Sequence, residues 1–162
     1  MKKLLILALA AVLVAAACGP KRSSSGERSS SAKPFKDFEA GGVKFSEYVG
    51  QGKYVLVDFW ASWCGPCRRE LANVKAVYEE FKGEDFDVLS VAVWDNPKAS
   101  ILAGQEEQIP WPQIVGAGGV PGSLYNFDKI PQIMLFGPDG TLLKRDLHGR
   151  WIRSAVSEAL GR

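Results

Sequence analysis

Histidine occurs once in these 162 residues and cysteine three times. Each shortage narrows the chemistry. A lone His148 is neither a catalytic triad nor a ligand set, and a surface place suits it. A structural zinc site takes four ligands, and three cysteines with one histidine do not provide them within one domain. No apolar run reaches the length of about 20 helical residues that a bilayer crossing needs. The formal net charge is only +2, and Lys2 and Lys3 supply it; from Cys18 onward 18 basic residues meet 18 acidic ones. With no basic excess, nucleic acid is not an expected partner. No internal repeat is present.

The chain starts with basic Met1-Lys2-Lys3, followed by an apolar run from Leu4 to Ala17 that ends in small residues. That order reads as a signal peptide over residues 1–17, too short for a membrane span. Cys18 follows Ala15-Ala16-Ala17 and resembles the lipidated cysteine of a bacterial lipobox, although Ala15 stands where that pattern usually has Leu. Lipidation also removes a stray thiol from an oxidising compartment. Residues 18–33 are rich in Ser, Lys and Arg and bury too little apolar surface to fold, so they read as a flexible tether. The expected location is the cell envelope, with the protein lipid-anchored to a membrane and facing the periplasm.

The remaining 34–162 has the size of one domain, and the 46% hydrophobic content can fill one core. Phe35–Phe38 and Val43–Phe45 read as a short hairpin turned at Gly41-Gly42. Tyr54 to Trp60 reads as a buried strand. From Pro66 to Phe81, Leu71, Val74, Tyr78 and Phe81 fall at helical spacing on one face. Phe86 to Val93 reads as a second buried strand, so the unit implies a right-handed parallel crossover. Residues 95–128 are less regular: a helix over Pro97–Gln108 with Ile101 and Leu102 inward, a short strand at 113–115, a glycine loop at 116–119 and a short helix over 121–127. Trp94, Trp111 and Tyr125 read as core residues, with a groove lining as the alternative. Gln132 to Phe136 and Thr141 to Leu147 form a hairpin around Gly137-Pro138-Asp139-Gly140. Trp151 to Leu160 closes the chain as an amphipathic helix on Ile152, Ala155, Val156 and Ala159.

Trp63-Cys64-Gly65-Pro66-Cys67 carries the chemistry. Two cysteines two residues apart can close a disulfide and reopen it with no metal and no cofactor. Cys64 falls where a strand gives way to a helix, and unpaired N–H groups there favour a thiolate. Pro66 suits the first helical turn because it has no N–H to leave unpaired. Cys64 is expected to attack a substrate disulfide, and Cys67, one turn further in and less exposed, to resolve the mixed disulfide. A haem attachment site needs His after the second cysteine, and Arg68 is there.

The run Val57-Asp58-Phe59-Trp60-Ala61-Ser62-Trp63-Cys64-Gly65-Pro66-Cys67 resembles the active-site segment of thioredoxin. The wider layout over residues 35 to 160 is similar to the membrane-tethered TlpA/ResA-like thiol-disulfide oxidoreductases. The resemblance implies an α/β thioredoxin fold. That fold has a central mixed sheet flanked by helices, an N-terminal β-hairpin and an insertion before the cis-proline strand. It implies that Asp58 moves a proton to and from Cys67, which its place in a buried strand also favours. It implies a cis peptide at Pro131, with the Ile130 backbone offered to an extended substrate, and Trp63, Gly65 and Pro66 as substrate-contacting neighbours of the sulfurs. Trp60 has two readings, shield of the sulfurs or core. Glu70 also has two, a proton relay or a solvated surface acid. Ala72 stands where these relatives have a helix-kinking proline, which implies a straighter helix. Gln132 stands where they often have Thr, which implies an altered substrate groove.

The Gly65-Pro66 dipeptide is that of thioredoxin, a strong reductant. The resemblance therefore implies a monomeric envelope reductase fed by a membrane donor of the DsbD/CcdA type. Its clients would be oxidised envelope proteins, apocytochrome c among them. An envelope oxidase or isomerase is the main alternative. A thiol peroxidase is disfavoured because Ala61 stands where its pattern has Thr. A peptide-binding module without chemistry is disfavoured by the intact cysteine pair.

Overall fold

The computed structural model describes residues 34–162. The signal segment, the tether and Cys18 lie outside the described residues. The central sheet has five strands in the order β5 (Gln113–Ile114), β4 (Phe86–Ala92), β3 (Tyr54–Trp60), β6 (Gln132–Phe136) and β7 (Leu142–Lys144). β3 lies in the middle. It pairs in parallel with β4, from Tyr54 against Phe86 to Trp60 against Ala92. Its other edge pairs antiparallel with β6. β5 and β7 form the two outer edges. α1 (Gly65–Phe81) makes the crossover from β3 to β4.

Side chains along a strand alternate between its faces, and β3 divides the core accordingly. Val55, Val57 and Phe59 join a cluster with Phe38, Phe45, Tyr125 and Phe136. Leu56 faces the other way, under Leu71, Val74 and Val77 of α1 and Ile152, Ala155 and Val156 of α4 (Arg150–Leu160). Asp58 and Trp60 share the parity of Leu56 and so face the α1 side. A third, smaller cluster of Trp60, Ala61, Cys64, Cys67 and Ala103 lies at the C-terminal end of β3.

The N-terminal hairpin forms later in the sequence than expected. β1 is Glu39–Ala40 and β2 is Val43–Lys44, turned by Gly41 and Gly42 at φ +60° and +79°. Asp37 accounts for the shift: its carboxylate accepts from the N–H groups of Phe38 and Ser46, at 3.1 and 2.9 Å. These groups are held by a side chain rather than a ladder. The following Phe45 is fully buried and stacks on Phe38, with ring centroids 4.8 Å apart.

The expected inner face of α2 is corrected. The helix spans Pro97–Glu106, and Ile101 and Leu102 are 46% and 61% exposed. Its buried side is Ser100, Ala103 and Gly104. Small residues win because the helix sits close to β5. A Cβ at Gly104 would lie 2.7 Å from the Gln113 side-chain amide. α3 spans Val120–Tyr125, ended by Asn126 at φ +56°, and β7 is cut short before Asp146, also at +56°. α1 is unbroken through Ala72. Trp111 and Tyr125 are core residues, and Trp94 is exposed. His148 is exposed as well.

Removing the Phe45 ring by F45A is expected to cost about 3–5 kcal/mol in urea unfolding. L102Q on the exposed face of α2 is expected to change stability by less than about 0.5 kcal/mol.

Candidate active site

β3 and β4 run parallel and end together, so the loops that follow them leave the same edge of the sheet side by side. The loop after β3 carries Ala61-Ser62-Trp63-Cys64. Cys64 is the N-cap of α1, held in extended backbone, and its Sγ accepts the N–H of Cys67 at 3.1 Å. Its own N–H donates to Ala61 O at 3.0 Å. Pro66 stands in the first turn, where no N–H is missed. Cys64 and Cys67 are joined in a disulfide. Both are buried in this oxidised pair, at 3% and 1% exposure. Exposure belongs to the rim instead: Trp63 is 63% exposed, and Gly65 and Pro66 are open.

The Ile130–Pro131 peptide bond is cis. Ile130 is half-buried and packs against the small cluster that holds both sulfurs. Trp60 is fully buried in that same cluster, so it is at once core and neighbour of the disulfide. The Gln132 side chain is buried.

Asp58 is 1% exposed, and neither carboxylate oxygen has a hydrogen-bond partner. Burial, then the charge of Glu70, push its pKa up to about 7. Ser90, opposite it on β4, opposes the shift without reaching hydrogen-bond geometry. Such a group gains and loses a proton at neutral pH. Glu70 is half-buried, and its Oε1 accepts from Gly149 N at 2.6 Å and Asn73 Nδ2 at 2.9 Å. It therefore ties α1 to the start of α4 and is not a freely solvated acid.

Two residues after β4 also touch the redox loop, and sequence reasoning missed both in this role. Trp94 O accepts from Trp63 Nε1 at 3.1 Å, and Asp95 accepts from Ser62. Their place at the end of β4, next to the end of β3, was the available signal. Trp94 also walls a groove of about 520 Å³ with Gly122, Phe127 and Asp128. No cluster of potential metal ligands occurs among the described residues, and no helix among them is long and apolar enough to cross a membrane.

The AhpC/TSA family matches residues 30–145. This chain belongs to the AhpC/TSA family. It is 21% identical over 124 residues to the thiol-disulfide oxidoreductase ResA of Bacillus thuringiensis subsp. konkukian, covering 76% of this chain and 70% of that one. The thioredoxin domain of a thiol-disulfide oxidoreductase from Bacteroides vulgatus superposes with a TM-score of 0.66 at 27% identity. That match covers 75% of this chain and 88% of the other. A thiol-disulfide oxidoreductase from Bacteroides fragilis gives 0.67 at 25%, covering 79% and 98%. The fold is that of thioredoxin and the activity is that of a thiol-disulfide oxidoreductase; the Cys64–Cys67 pair is consistent with it, and the family implies protein thiols as substrates.

The raised pKa of Asp58 has a signed consequence. Between the unfolded value of 3.8 and about 7 the folded chain holds a proton that the unfolded chain has released. The contribution of Asp58 to stability therefore falls as pH rises through that window and is flat above it. D58N lacks this loss. Its stability advantage over wild type is expected to grow by about 4 kcal/mol from pH 3 to pH 8, read from urea unfolding at each pH.

Proposed function

We propose that this chain is a reductant of protein disulfides in the bacterial cell envelope. The seat of Cys64 supports its role as the attacking thiol: its sulfur caps α1 and accepts a backbone N–H. In the reduced protein that N–H and the helix N-terminus stabilise a thiolate. The Cys64 thiolate attacks one sulfur of a client disulfide, and the client's other sulfur leaves as a thiolate. Cys67 then attacks Cys64 Sγ and releases the second client thiol. Two electrons pass to the client, and the Cys64–Cys67 disulfide is formed. The Asp58 carboxylate takes the Cys67 proton during resolution, and its pKa near neutrality suits that exchange. The backbone of Ile130, before cis-Pro131, pairs with the extended client, while Trp63, Gly65 and Pro66 form the rim it meets. Glu70 adds charge that keeps Asp58 protonated longer.

The reducing direction is favoured by the buried Asp58. Its negative charge, once formed, disfavours a second anion among the reduced sulfurs and so favours the disulfide. Each turnover consumes two electrons, and a membrane donor of the DsbD/CcdA type would return them. Residues 1–17 would direct export, a lipid on Cys18 would anchor the chain, and residues 18–33 would tether the domain of 34–162. Apocytochrome c is among the candidate clients.

Equilibrating the dithiol against dithiothreitol is expected to give a potential near the thioredoxin value of about −270 mV. A result near the DsbA value of about −120 mV would make this chain an oxidase and overturn the reading. C67S is expected to accumulate mixed disulfides on Cys64, visible on non-reducing gels. D58N is expected to slow client release about a hundredfold at pH 7.

A further inference from the structure

Asp95 lies in the loop between β4 and α2, half-buried beside the end of β3. One carboxylate collects four hydrogen bonds. Ser62 supplies two, from its N–H at 2.6 Å to Oδ2 and from its hydroxyl at 3.0 Å to Oδ1. The hydroxyl of fully buried Ser100 in α2 supplies a third at 2.8 Å, and the N–H of Asn96 a fourth at 2.8 Å. Burial alone would raise the pKa of this acid; the bonds from Ser62, Ser100 and Asn96 outweigh it and hold the group below the usual carboxylate range.

Capping α2 does not explain these contacts. Asn96 is the N-cap of that helix and accepts from Lys98 N at 2.9 Å and Ala99 N at 3.4 Å. Asp95 is free to point back across the sheet edge to Ser62, two residues before Cys64. The adjacent residue grips the adjacent residue: Trp94 O holds the Trp63 indole. Trp94 is itself set at φ +52°, a conformation that a bulky side chain adopts only where its surroundings dictate it. Its N–H donates to Gly118 O at 3.0 Å. A Cβ at Gly119 or Gly122 would come within 3.1 or 2.9 Å of its indole, so those glycines make its seat. The loop after β4 is thus held from behind and grips the redox loop at two consecutive residues.

We propose that Asp95 is a positioning residue for the redox reaction, holding Ser62–Trp63–Cys64 so that the Cys64 sulfur stays seated on the N-terminus of α1. This rests on the reading of Cys64 as the attacking thiol. Without the carboxylate the loop loosens, the N–H of Cys67 meets the sulfur less well, and the thiolate loses stabilisation. A carboxylate acting through its charge alone would do the opposite, because its removal would favour the thiolate.

The test is the pH dependence of iodoacetamide alkylation at Cys64, followed by peptide mass in the reduced full chain for wild type, D95N and S62A. D95N is expected to move the midpoint up and to slow alkylation at pH 7 about three- to tenfold, the effect of about one lost hydrogen bond. S62A, which drops only the hydroxyl bond, is expected to shift the midpoint the same way by less. It also decides the matter if D95N does not fold. A folded variant with an unchanged midpoint, whatever its melting temperature, overturns the proposal and leaves Asp95 a structural residue. A lowered midpoint overturns it in favour of a through-space charge. Failure of the underlying reading looks different: in wild type itself, Cys67 would then be alkylated before Cys64.

Discussion

The pairing of β3 on both edges is the constraint on which the rest depends. Seven consecutive residues, Tyr54–Trp60, are bonded to β4 on one side, and five of them, Val55–Phe59, to β6 on the other. A strand held this way cannot slip by one residue without moving Val55, Val57 and Phe59 out of one core and Leu56 out of the other. Its end point is therefore fixed, and with it the start of α1. The sulfur of Cys64 reaches a helix N-terminus because a central strand stops four residues earlier. The parallel neighbour β4 stops at the same edge, which is why Trp94 and Asp95 arrive beside the same loop.

The same strand carries the structure's main electrostatic cost. Asp58 occupies a position where an apolar residue would pack, among groups that offer its carboxylate no partner. A buried charge without hydrogen bonds is strongly disfavoured, so the group stays protonated to near neutrality. Glu70 strengthens that effect while it secures α4 through Gly149. One acid on α1 thus links the packing of a helix to the proton affinity of a residue in the sheet.

Much of this was legible in the sequence. β3, β4, α1, β6 and α4 emerge within a residue or so of their observed bounds, because continuous apolar runs and helical spacing report burial directly. The places of Cys64, Cys67 and Asp58 are readable for the same reason: they lie at the end and in the interior of a strand that is easy to find. The errors concern elements whose packing relies on small or polar residues. In α2 the eye goes to Ile101 and Leu102, but Gly104 against Gln113 decides which side turns inward. At the N-terminus, Asp37 takes over the backbone of residues 38 and 46, and no periodicity announces that. The grip of Asp95 on Ser62 joins positions 33 apart through a single side chain, and only the adjacency of two strand ends reveals it.

The near-complete burial of the disulfide works as insulation. Electrons enter or leave this protein through two sulfur atoms that show bulk solvent almost no surface, inside a collar of Trp63, Gly65 and Pro66. Whatever exchanges electrons with the pair must reach past that collar to touch sulfur. The conductor is sheathed nearly to its tip, and contact is made at one narrow place.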